Sequence, residues 1–102
     1  MKESRAPFVV VSQKLVMDKG IKASSKVVYM VLCKFADNET QEAFPSRKTI
    51  RSITGISDST LTRSLGELED GGYIRVEPRF KKDYEGKITN EKTSNKYHIL
   101  NT

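Results

Sequence analysis

Two short amphipathic patterns separated by only Gly55-Ile56-Ser57 constrain this chain more than any other feature. Before the triplet, Pro45-Ser46 reads as a helix entry with Ser46 as N-cap, and Ile50 and Ile53 are expected to face inward. After it, Ser57 is placed to cap a second helix over 57–70, whose inward stripe is Leu61, Leu65 and Leu68. A three-residue connection leaves the two helices as immediate neighbours. Gly55 supplies the left-handed backbone that ends the first helix, and Ile56 fills the gap between the two. Gly71-Gly72 ends the second helix. From Tyr73 the period changes to two, with Ile74 and Val76 alternating with Arg75 and Glu77.

The remaining segments extend this arrangement in both directions. Residues 8–11 are apolar and rich in β-branched side chains, which predicts a strand. Ser12 caps a short helix carrying Leu15 and Val16, stopped by Gly20. A longer helix starts near Ser24, with Val27, Val28, Val31, Leu32 and Phe35 on one wide apolar face. Residues 37–42 form a polar loop. Near the end, Tyr97 and Ile99 alternate with Lys96 and His98 in a second strand. Residues 81–92 between the strands hold Gly86 and Asn90 and read as a long exposed hairpin tip. The expected architecture is α+β: a winged helix-turn-helix with a three-helix core, a C-terminal β-hairpin wing and a short N-terminal strand and helix. Residues 1–102 form one domain.

Charge narrows the function. The formal net charge is +5, which favours acidic partners. Residues 46–65 carry Arg47, Lys48, Arg51 and Arg63 against Asp58 alone, and 75–102 is again basic. Between them, Glu67, Glu69 and Asp70 have no basic neighbour in 66–74. These three acids are expected to solvate the helix end or to repel DNA from it. No apolar run reaches the ~18 residues of a membrane span, which points to a cytoplasmic protein without membrane contact. Cys33 is the single cysteine and His98 the single histidine, so no metal site is expected; both read as structural. No catalytic set or cofactor-binding loop is recognised, so the chain reads as a non-enzyme.

The second helix of the close pair suits the major groove, where residues near a helix N-terminus reach base edges. Ser57 caps that helix, turns its N-terminal N–H groups outward and is itself expected on DNA. Ser59, Thr60, Thr62 and Arg63 are the expected base readers. Ser46, Arg47 and Lys48, together with Lys81, Lys82 and Lys87 of the wing, are expected on phosphates. The partner is double-stranded DNA. The apolar segment 8–15 is available for a homodimer interface.

The stretch PSRKTIRSITGISDSTLTRSLGELEDGGYI resembles the helix pair of GntR-type and similar bacterial regulators. A wider resemblance runs through SSKVVYMVL, AFPS and the closing TSNKYHI. Over this length the chain is similar to helix-turn-helix domains of phage and plasmid replication initiators, including N-terminal domains of DnaD-type proteins. The resemblance implies duplex DNA binding at a replication origin. The alternatives are a transcriptional repressor and a protein-interaction module that recruits replication factors. Two positions depart from the pattern. Arg51 stands four residues before the turn glycine, where a small residue is usual. Asp58 opens the recognition helix, where its carboxylate suits the helix dipole but repels a nearby phosphate.

Overall fold

The computed structural model describes residues 7–100. The helices are α1 (Gln13–Met17), α2 (Ala23–Phe35), α3 (Arg47–Thr54) and α4 (Asp58–Asp70). The strands are β1 (Glu42–Ala43), β2 (Ile74–Glu77), β3 (Phe80–Lys82), β4 (Ile88–Lys92) and β5 (Lys96–Ile99). Helices α2, α3 and α4 surround the core, and β2 and β5 pair antiparallel, Val76 opposite Tyr97. The expected winged helix is therefore present, with a three-stranded sheet in the order β1-β5-β2.

Both close-set helices begin in the same way. Ser46 Oγ accepts the Thr49 N–H at 3.0 Å and donates to Thr49 Oγ1 at 2.9 Å. Ser57 Oγ accepts the Thr60 N–H at 3.2 Å and donates to Thr60 Oγ1 at 3.0 Å. Each cap satisfies a helix-end donor that would otherwise need water. Gly55 ends α3 with φ 76°, and its N–H reaches Arg51 O at 2.8 Å. Leu61, Leu65 and Leu68 bury one face of α4 together with Ser64, whose small side chain meets Ser24 of α2 at 3.3 Å. Burying each leucine stabilises the fold by about 1.5–3 kcal/mol.

Glycine position decides the sign of two substitutions. Gly55→Ala should cost about 1–2 kcal/mol, because a Cβ strains a left-handed residue although the space around it is open. Gly66→Ala on α4 should instead stabilise by about 0.5–1 kcal/mol, because its Cβ would also meet nothing but the backbone there is helical. Thermal melts of the two variants should move in opposite directions.

Several sequence expectations are corrected. Residues 8–11 form no strand: Phe8 and Val10 are 65% and 81% exposed, and no described strand offers them a ladder. The sheet takes its third strand from Glu42–Ala43 instead, paired with His98 and Tyr97. On α1, Leu15 is buried while Val16 is exposed. On α2, Val27 lies outside the core and Tyr29 takes an inward place, its ring edge-on to Tyr73 at 6.3 Å. On α3, the inward row is Ile50 and Thr54, an i,i+4 pair, which turns Ile53 outward.

The long wing is more ordered than an open tip. β3 and β4 pair as a separate two-stranded ribbon, with Phe80 opposite Lys92 and Lys82 opposite Ile88 across a register shift. Pro78 cannot donate to a ladder, so the hairpin breaks between β2 and β3. It is stitched again by Thr93 N–H to Arg79 O at 3.0 Å and by Arg79 Nε to Ser94 O at 2.8 Å.

Candidate nucleic-acid interface

The residues expected on DNA separate into three groups once their partners are seen. Ser46, Ser57 and Thr60 are committed to the helix starts described above. Their role is to build the two N-termini, and their hydroxyls are already engaged.

Arg47 and Thr62 form a bridge between α3 and α4. Arg47 Nη2 donates to Thr62 Oγ1 at 2.6 Å and to the Asp58 carbonyl at 3.1 Å, while its Nε donates to Asp58 Oδ1 at 3.1 Å. Arg51 approaches the same carboxylate oxygen at 3.9 Å. The two departures from the expected pattern, Arg51 and Asp58, thus answer each other. Exposed ion pairs of this kind contribute about 0–1 kcal/mol. Their consequence is chiefly positional: the charge at the start of α4 is partly neutralised and the two helices are tied together.

The third group remains outward, with the Ser59 hydroxyl also 3.2 Å from Ser57 Oγ. Ser59, Arg63, Gly66 and Asp70 follow at i, i+4, i+7 and i+11, a row opposite the buried leucines. Thr62 lies beside that row. Lys48 and Arg63 are exposed, and neither makes a hydrogen bond or close ion pair with another described residue. Gly66 leaves the middle of the row without a side chain, so another surface can approach the α4 backbone closely there.

The wing lysines also divide. Lys81 Nζ pairs with Glu91 at 3.0 Å, and Lys87 lies 4.0 Å from Glu85. Lys82 and Lys92 share the opposite ribbon face with Phe80 and Ile88, and their side chains make no bond with another described residue. Lys92 belongs with Lys81, Lys82 and Lys87 among the wing lysines of the sequence, and its face is set by the β3–β4 register, which shifts between Phe80 and Lys82. Tyr84 at the tip is 99% exposed.

The acidic stretch has structural work that the sequence reading missed. Glu67 Oε1 accepts the Lys22 N–H at 2.7 Å and so caps α2, whose own N-cap residue offers no side-chain bond. Glu69 Oε2 accepts the Val76 N–H at 3.1 Å and covers the open edge of β2. His98 stands between Glu42 and Glu77, at 3.5 and 3.2 Å, and joins all three strands of the sheet. Cys33 is largely buried, and burial pushes its thiol up to about 11. Among the described residues no group of three or more His, Cys, Asp or Glu is placed to hold a metal. None of the described helices is long and apolar enough to cross a membrane.

Three carboxylates make stability depend on acid. The Tyr73 hydroxyl, 2.7 Å away, lowers Asp18; the Lys22 N–H and then Ser25 lower Glu67; His98 lowers Glu77. A native pKa below the unfolded one gives stability that is complete above the unfolded value and lost as pH falls through the native value. Melting temperature should therefore fall below about pH 4. Glu67→Gln should make that fall shallower, and a melting temperature that rises on acidification would contradict the assignment.

A short helix, a tight glycine turn and a second helix with an available polar face are now placed. A family model described as a helix-turn-helix domain matches residues 19–74, more than half of the chain. The chain belongs to this helix-turn-helix family. The match begins just before α2 and ends at the first residue of β2, so it covers α2, α3 and α4. In the helix-turn-helix arrangement α4 is the second helix, the one suited to a DNA groove. Comparison with curated proteins and with solved structures returned no match.

Proposed function

We propose that this helix-turn-helix domain binds duplex DNA sequence-specifically, without catalysis, in replication initiation of a phage or plasmid-like element. The observation that carries DNA binding is the sorting of charge around α4. Lys48, Arg63, Lys82 and Lys92 point outward without close partners, while Glu67 and Glu69 are held by backbone N–H groups. In this reading α4 lies in the major groove with Ser59, Thr62 and Arg63 toward the bases. Lys48 and the wing lysines hold phosphates, which set register but carry no sequence information themselves. The replication role draws on the resemblance that spans the chain from the α2 sequence to TSNKYHI. Exposed Phe8, Val10, Val16 and Met17 favour an additional protein contact, either a second copy or a replication factor.

The test is an amide-shift map of the labelled domain titrated with a mixed-sequence duplex. Shifts should concentrate in 46–48, 57–63 and 80–92. Shifts confined to α1 and the outer side of α2 would instead favour the protein-interaction reading.

A further inference from the structure

Asp58 is the one acid on the leading edge of the recognition helix, and its setting distinguishes it from an ordinary helix-start carboxylate. Its side chain is 57% exposed, while Arg47 and Arg51 both approach Oδ1, at 3.0 and 3.9 Å. Arg47 also holds the Asp58 carbonyl and the Thr62 hydroxyl, so one α3 side chain grips the carboxylate and the first turns of α4 together. The bonds and ion pairs of this carboxylate with described residues all use Oδ1, which leaves Oδ2 as an acceptor on an exposed side chain.

An unbraced carboxylate at this place would meet the phosphate backbone with full repulsion. Two guanidinium groups remove much of that penalty. The side chain can then approach DNA, provided the group it meets is a hydrogen-bond donor. In the major groove cytosine offers its N4 amino group, and Asp or Glu is its usual side-chain partner; adenine offers a donor beside an acceptor, which suits Asn or Gln. Phosphates, guanine O6 and N7, and thymine O4 are all acceptors and are disfavoured.

We propose that Asp58 is a specificity-determining residue that accepts a hydrogen bond from cytosine N4, with Arg47 and Arg51 as its positioning residues. The assignment rests on the DNA-binding reading and adds the base class read at the start of α4. It also gives Arg47 a role other than phosphate contact.

The experiment is selection of preferred duplexes from a randomised pool, followed by affinity measurements for wild type, Asp58→Asn, Asp58→Ala and Arg47→Ala, with melts to show that each is folded. Wild type should show a cytosine at one position. Asp58→Ala should lose that preference, on the order of five- to tenfold, and Asp58→Asn should shift it toward adenine. Arg47→Ala should weaken the preference at the same position and add little when combined with Asp58→Ala. Should Asp58→Asn bind all duplexes more tightly by one common factor, Asp58 only screens phosphate and the inference is wrong. A loss of preference at a different position for Arg47→Ala would also overturn the positioning role. If wild type binds no duplex at all, the DNA-binding reading itself fails, and this inference with it.

Discussion

Leu61→Ala is expected to lower stability by about 2–5 kcal/mol, a large part of what a small domain possesses. Leu61 is fully buried on α4 among residues of the core cluster, so truncation leaves a cavity as well as losing transfer free energy. At roughly 4–8 °C per kcal/mol for a domain of this size, the melting temperature should drop by about 10 °C or more. The conservative Leu61→Met should cost less than about 1.5 kcal/mol because volume is kept. Thr60 and Thr62 flank this residue. A loss of packing here should therefore loosen the helix that carries the candidate interface. Denaturant unfolding at fixed pH checks the effect, and a change under about 1 kcal/mol would mean that α4 is not packed as described.

Arg63→Ala is expected to reduce discrimination between a preferred and a scrambled duplex by about 1–3 kcal/mol, or roughly 5- to 150-fold. Arg63 extends from the outer row of α4, lies one turn from Glu67, and has no close ion pair with a described residue. Its guanidinium is therefore available for the bidentate contact that reads guanine. Lys82→Ala and Lys92→Ala should behave differently. Each removes a charge from the free ribbon face, so binding should weaken by a similar factor on both duplexes. Equal weakening on both duplexes by Arg63→Ala, combined with a changed ratio for the lysine variants, would reverse the assigned roles.

The helix pair was legible because its signals are local. Ser46 and Ser57 announce helix starts, Gly55 needs positive φ, and the leucine spacing on α4 defines one face. The change of period after Gly72 located β2 for the same reason. The misses arose where long-range packing chooses among equally apolar residues. Tyr29 takes its place because Tyr73 meets it from the start of the sheet, 44 positions on in the chain. Residues 8–11 have strand composition but no neighbouring edge, and composition alone supplies no partner. At the candidate interface, residue types were readable and residue commitments were not. Arg47 is placed by its charge among the phosphate contacts, and its bonds to Asp58 and Thr62 are visible only in the structure. Opposite charges flanking a three-residue turn were the available signal. The four wing lysines look alike in the sequence, and only the β3–β4 register separates Lys81, paired with Glu91, from Lys92 on the free face.

The assignment at stake is that the outward cations of α3 and the wing meet DNA phosphates. It is tested most directly by the affinity of the domain for a mixed-sequence duplex at several salt concentrations. Phosphate neutralisation releases counterions, so log K should fall linearly with log salt, with a slope of about −0.9 for each phosphate contacted. Contacts by Lys48, Lys82 and Lys92 predict a slope of about −3 or steeper, shallower by about 0.9 in each single alanine variant. A slope near zero, or a slope unchanged when these lysines are removed, would contradict the account.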